Sequence, residues 1–218
     1  MAGLFPAGGE RVPRLRFPEF EGAGEWEEKK LGEVATFLNG RAYSKDELLA
    51  QGKYKVLRVG NFFSNNHWYY SDLELEEAKY CDSGDLLYAW SASFGPRIWK
   101  EARAIYHYHI WKVVAKQQNE PIFLFHLLDK ITDEMKASLK NGLGIFHITK
   151  SGIENWVVPF PPTLSEQTRI AAALSSLDDL IAAQGEHIAA LQAFKRGLMQ
   201  GLFPASSADL HATQEAAE

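Results

Sequence analysis

Two histidines separated by one residue, in Tyr106-His107-Tyr108-His109, come nearest to a metal-binding pair. On an extended strand they share a face. No carboxylate or cysteine beside them completes a ligand set, so the pair reads as packing and no metal site is expected. Cys81 is the single cysteine, which excludes internal disulfides and cysteine-rich zinc sites and fits a reducing cytoplasm. Phe94-Gly95-Pro96 is not a phosphate-cradling loop, and no glycine-rich nucleotide pattern occurs elsewhere. The Asn-Pro-Pro-Tyr type of tetrapeptide that an amino-methyltransferase uses is absent, and Pro159-Phe160-Pro161-Pro162 does not replace it. No two acids are spaced as a catalytic pair. The chain is expected to be no enzyme and to hold no cofactor.

Loop residues offer a different chemistry. Arginine recognises guanine edges, asparagine and glutamine recognise adenine, and lysines and hydroxyls hold phosphates. Three loop regions supply these groups, Arg41, Tyr43, Ser44 and Lys45 after Asn39-Gly40, then Asn61 with Asn65, Asn66 and His67, then Ser91, Ser93 and Arg97 around Gly95; Arg58, on the strand that leads to Asn61, joins them. Lys140, Asn141, His147 and Lys150 complete the candidate DNA-contact set. Each has a plainer reading, since Asn-Gly pairs make turns, Trp68 and Tyr70 pack, and Lys140-Asn141-Gly142 can close a helix.

Short strands and one helix must position these loops. Tyr54 to Val59 alternates in polarity and ends at Gly60-Asn61; Asp82-Ser83-Gly84-Asp85 turns into Leu86 to Trp90; Ala104 to Val114 is β-branched and aromatic with period two; and Trp156 to Phe160 is a last strand. Ile122, Phe125, Leu128, Ile131, Met135 and Leu139 lie on one face of a helix over 121–139, with Pro121 in its first turn. The expected fold class is α+β: an extended lead-in over 1–24, a mixed domain over 25–160, a long helix within 161–203 and a disordered tail over 204–218.

The helix carries the most regular pattern. Ile170, Leu174, Leu177, Ile181, Gln184, Ile188, Leu191, Lys195, Leu198 and Leu202 follow a 4-3 spacing, the seam of a coiled coil. Ser165 is the expected cap before Glu166. Some 37 residues of helix span ~55 Å at 1.5 Å per residue, more than a small domain covers, so a partner helix is expected. Gly3-Leu4-Phe5-Pro6-Ala7 recurs as Gly201-Leu202-Phe203-Pro204-Ala205, as if each copy marked the end of one tandem unit.

The 218 residues are 46% hydrophobic with a net charge of −5, which suits a globular protein and argues mildly against nucleic acid. The distribution offsets the sum, because Leu86 to Lys150 holds nine basic residues against five acids, a basic middle between acidic flanks. No apolar run is long enough to span a membrane, and Met1 to Glu10 lack a basic segment followed by an apolar stretch, so no secretory signal is expected.

Together these features resemble the specificity subunit of type I restriction-modification systems. The strongest stretch runs from Pro159 to Phe203: Pro161-Pro162 with Ser165-Glu166-Gln167, then Ala172 to Ile181, then Leu191, Lys195 and Gly197 to Phe203. Val12 to Phe20, Trp26 to Val34, Leu57-Arg58-Val59-Gly60-Asn61, Gly84 to Ser91 and Gly144 to Lys150 are also similar to family segments. The resemblance implies a target-recognition domain that reads one half-site of a bipartite double-stranded DNA sequence. It also implies a helix that docks a methyltransferase subunit carrying S-adenosylmethionine, joined for cleavage by a motor-nuclease subunit. The family usually holds two recognition domains and two helices in one chain, and here there is one of each. The chain is thus either one half of such a subunit or a half-subunit that pairs with itself. A protein–protein scaffold with a coiled-coil arm and no DNA readout is the competing expectation.

Overall fold

A computed structural model describes residues 3–63, 65–91, 93–117, 119–139 and 148–202. The elements, in chain order, begin with β1 (Glu27–Lys30), α1 (Leu31–Val34), β2 (Ala35–Asn39), β3 (Tyr54–Leu57), α2 (Val59–Phe63), β4 (Tyr69–Ser71) and β5 (Tyr80–Cys81). They continue with β6 (Leu86–Ser91), β7 (Ser93–Ile98), β8 (Ala104–Tyr106), β9 (Ile110–Ala115), α3 (Pro121–Leu139), α4 (Lys150–Glu154), β10 (Val157–Phe160) and α5 (Leu164–Leu202). The fold is α+β with a long C-terminal helix, as the patterning predicted.

The strands form three sheets. One has the order β2-β9-β6-β7, one β4-β3-β8-β5, and β1 pairs with β10 alone. Every pairing is antiparallel except β3 with β8. The expected single strand from Ala104 to Val114 is two strands. Ala104, Ile105 and Tyr106 are all fully buried, so β8 is covered on both faces rather than alternating. The chain then turns tightly, with the Ile110 N–H donating to the His107 carbonyl (2.9 Å), and joins the other sheet as β9. His107-Tyr108-His109 is that turn, so the histidines do not share a strand face.

Leu57, Leu87, Ala89, Tyr106 and Ile110 pack in one core cluster, and α3 lies over β6, β7 and β9. Tyr88, under α3, shares a buried hydrogen bond with Thr132 (3.0 Å), and desolvation pushes the tyrosine's pKa up to about 12. The N-terminal segment enters this core: Phe5 is 1% exposed, with its ring against Trp26 and Phe123 (6.1 and 5.6 Å between centroids).

The chain divides into two compact units, Met1–Ala172 and Ala173–Glu218. Thr163, rather than Ser165, supplies the oxygen at the start of α5, its Oγ1 accepting the Glu166 N–H (3.3 Å). Ser165 is already helical, one residue past Leu164, and its hydroxyl lies 3.2 Å from the same Thr163 oxygen. Of the seam, Ile170 and Leu174 are buried, whereas Leu177, Ile181, Gln184, Ile188, Leu191, Lys195, Leu198 and Leu202 are exposed. Among the described residues no helix is long and apolar enough to cross a membrane.

Candidate nucleic-acid interface

The parallel pairing of β3 with β8 sets the geometry of the site. Leu57 lies opposite Tyr106, so both strands leave the sheet at the same end. The chain after each strand starts from adjacent points, with the His107 N–H donating to the Leu57 carbonyl (2.9 Å). Arg58 and His107 therefore emerge side by side. Between them opens a cleft of about 230 Å³ lined by Arg58, Gly60, Asn61, Asn65, His107 and His109, with Val59 at its wall.

The loop after β2 closes one flank. The Arg41 N–H donates to the Tyr106 carbonyl and the Tyr108 N–H to the Arg41 carbonyl, both at 3.0 Å. Gly40 permits this approach, because a β-carbon there would fall well inside contact distance of the Tyr106 and His107 carbonyl oxygens. Tyr43 stacks on His107 (6.3 Å between centroids, 29° between planes). Arg41 lies over Tyr43 and is bound to Glu47 (2.6 Å), whose other oxygen accepts the Ser44 N–H (2.9 Å). That pairing holds the Glu47 carboxyl below its ordinary pKa. Arg41, Tyr43 and Ser44 are thus engaged within their own loop, while Lys45 is exposed and has no ion pair among the described residues.

On the opposite flank the asparagines are also engaged. The Asn61 side-chain amide donates to the carbonyls of Asn65 (3.0 Å) and His67 (2.7 Å), and Asn65 Oδ1 accepts the His67 N–H (2.7 Å). Asn66 and His67 are exposed, with the His67 ring edge-on to Tyr69 (5.1 Å). Arg58 stacks over Tyr69 with its guanidinium carbon 5.2 Å from the ring centre.

The third predicted region is not a loop: Ser91 ends β6, Ser93 to Arg97 lie in β7, and the two strands pair antiparallel. Arg97, exposed on β7, lies over Phe62 of α2 (5.7 Å). Trp90 of β6 meets His109 edge-on (5.1 Å) and donates its indole N–H to the Tyr108 carbonyl (2.9 Å). Ser91 is buried, and Ser93 opens β7. Gly95 has φ +146°, a conformation that side chains disfavour, and nothing stands within 4 Å of where its β-carbon would be. Backbone conformation, not close approach, explains that glycine.

Lys140, Asn141 and His147 lie outside the described residues. Lys150 opens α4 and sits 3.7 Å from Glu154, and the helix is capped by Thr149, whose Oγ1 accepts the Gly152 N–H (3.0 Å). Just before it, the Ile148 N–H donates to the Trp90 carbonyl, which brings this segment to the end of β6.

The residues that sequence reasoning missed are His107, His109 and Trp90. Read as strand packing, the histidines instead line the cleft. Burial, then His109 and Arg58, lower the His107 pKa to about 4, so at neutral pH its ring carries one N–H donor and one acceptor nitrogen. The signal was the aromatic run itself, four ring residues at 106–109 followed by Trp111. Among the described residues no three His, Cys, Asp or Glu side chains gather as a metal site would need.

Comparison with known proteins places these features in context. The family model for the type I restriction modification DNA specificity domain matches residues 23–193. The type I restriction enzyme MjaVIII specificity subunit of Methanocaldococcus jannaschii is 29% identical over 192 residues, covering 87% of this chain and 43% of that protein. A putative MjaX specificity subunit of the same organism is 32% identical over 90 residues, 40% of this chain and 21% of that one. Among solved structures, a chain from a study of complex assembly and conformational transition in a type I R-M system superposes with a TM-score of 0.68 at 22% identity, covering 91% of this chain and 47% of its own. The S subunit from M. genitalium gives 0.61 at 16% identity, over 97% and 51%. The HsdS subunit from Thermoanaerobacter tengcongensis gives 0.58 at 20%, over 83% and 41%. The chain spans about half the length of these relatives or less.

Proposed function

Because the chain belongs to the family of the type I restriction modification DNA specificity domain, we propose that its residues 25–160 read one half-site of a bipartite DNA target. The observation that carries this reading is the cleft between the β3–α2 junction and the 107–109 turn, with Tyr43 of the loop after β2 stacked on His107 and Trp90 of β6 edge-on to His109. In this reading Arg58, Arg97, His107 and His109 face the bases, and Lys45 and Lys150 stand where phosphates pass. The predicted contacts at Asn66 and His67 belong to the same surface.

The family is in general non-catalytic, and this chain acts through partners. We assign 161–203 to assembly: the exposed leucines and isoleucines of α5 take a second helix, from another recognition half or from a second copy, and the pair docks a methyltransferase subunit that brings S-adenosylmethionine. A motor-nuclease subunit completes the cleaving complex. A cytoplasmic location goes with this role, as does the single buried thiol of Cys81, whose pKa burial pushes up to about 12.

The test mixes the chain with the methyltransferase subunit and S-adenosylmethionine, then selects from a randomised duplex library at two salt concentrations. Enrichment of one short motif, single or in two copies at fixed spacing, supports the reading. A complex that forms without enrichment makes the domain a scaffold, and no complex at all overturns the assignment.

A further inference from the structure

Resting on that reading, we infer that the half-site is guanine-bearing, with guanine edges read by Arg58 and Arg97 and no adenine read by Asn61 or Asn65. Of the arginines described in unit Met1–Ala172, Arg11, Arg14, Arg16, Arg41, Arg103 and Arg169 all pair with carboxylates. Arg58 and Arg97 have no carboxylate partner among the described residues, and both are exposed.

Both are also braced. Arg58 lies over Tyr69 and Arg97 over Phe62, so aromatic rings restrict two long side chains without consuming their N–H groups. They flank one short element: Arg58 immediately precedes α2, and Phe62 lies within it. A planar guanidinium held in place with free donors matches the paired acceptors O6 and N7 of guanine, which lie side by side in the major groove.

The asparagines argue the other half. Reading adenine takes both ends of the amide at once, the NH₂ to N7 and the oxygen to N6–H. The Asn61 NH₂ already serves two backbone carbonyls, and the Asn65 oxygen already accepts the His67 amide. Freeing either would break the turn that shapes the cleft. These side chains hold the 61–67 turn and are not base readers.

The experiment repeats the selection with the same assembly carrying Arg58→Lys or Arg97→Lys, substitutions that keep the charge but lose the fork. The expected result is a wild-type motif containing guanines, in which each variant lowers the guanine preference at one position roughly 5- to 150-fold while the other positions hold. A motif free of guanine overturns the inference and leaves the recognition role standing. A guanine preference that survives both Arg→Lys and Arg→Gln at these positions also overturns it, because lysine can still donate to O6 or N7 while glutamine removes the cation. So does uniform weakening of all sequences by Arg58→Gln with a salt slope about 0.9 shallower, the mark of one lost phosphate. Failure of the wild-type assembly to select any motif sinks the recognition reading itself.

Discussion

Arg16 and Glu166, 150 residues apart, form a bidentate ion pair in the interior of the domain. Nε and one terminal nitrogen of Arg16 bind the two carboxylate oxygens at 2.8 and 2.9 Å, with the side chains 7% and 1% exposed. The Trp26 indole N–H donates to the same carboxylate (3.1 Å). A charge buried this deeply is tolerable only while its partner stays. Glu166→Ala is expected to destabilise the protein by about 3–5 kcal/mol, because the guanidinium stays buried without its counter-ion. Urea unfolding monitored by tryptophan fluorescence measures this.

Phe5→Ala removes a ring packed on Trp26 and Phe123 at the centre of an aromatic cluster that Phe160 also joins. The expected loss is about 3–5 kcal/mol, the range for a large aromatic truncated inside a packed core. A loss below ~1 kcal/mol in the same unfolding assay would mean that the N-terminal segment is dispensable.

Gly40→Ala forces the loop after β2 away from the 107–109 turn. The prediction is a stability cost of about 1–3 kcal/mol from overpacking against backbone. Faster amide exchange at Tyr108, whose N–H the Arg41 carbonyl accepts, should accompany it. Duplex binding should fall with it. Wild-type exchange at Tyr108 in the variant would refute the account of Gly40.

His107 contributes a pH dependence with a definite sign. Its pKa is lowered from 6.5 to about 4 by burial first, then by His109 and Arg58. Between those values the unfolded chain binds more protons than the folded one, so stability rises with pH. The contribution is complete above about pH 6.5 and is lost as pH falls through about 4. His107→Gln should flatten that part of the stability profile relative to wild type. Arg58→Gln should raise the His107 pKa, read from the imidazole proton shifts.

The exposed stripe on α5 predicts self-association of the isolated chain. Sedimentation at rising concentration should show dimers. Leu191→Glu should weaken them by at least ~10-fold, since burying one leucine is worth about 1.5–3 kcal/mol. A wild-type monomer at every concentration would remove the helix from the assembly surface.

The sequence made legible whatever rests on local pattern. The 4-3 spacing from Ile170 to Leu202 and the periodicity over 121–139 both reappear as helices, although the second buries Phe123, Leu124 and Leu127 and leaves Ile122 and Phe125 only half-buried. The loop holding Arg41 was identifiable from turn residues and donor groups, whereas Arg97, expected in a loop, lies on β7. What stayed hidden depends on contacts between distant segments. Period-two alternation in Ala104 to Val114 does not reveal that the first half is covered on both faces and parallel to β3, so the turn at His107 could not be placed. The commitments of Arg41 to Glu47 and of Asn61 to two carbonyls likewise need the folded loop. Glu166 shows the same limit: at a helix start it reads as an acid facing the dipole, and its role as the buried partner of Arg16 needs the lead-in brought to it.

The pairing of β1 with β10 alone, reinforced by Arg16 with Glu166, orders events in time. At roughly 5–20 residues per second, a ribosome that has made Arg16 needs about 8–30 s to make Glu166. Through that interval β1 has no strand to pair with and the Arg16 guanidinium has no carboxylate at its side. The entropic cost of closure grows only slowly with loop length, so synthesis and not the length of the loop sets this delay. The nascent chain therefore cannot lock its two edges together until the loops between them have been synthesised.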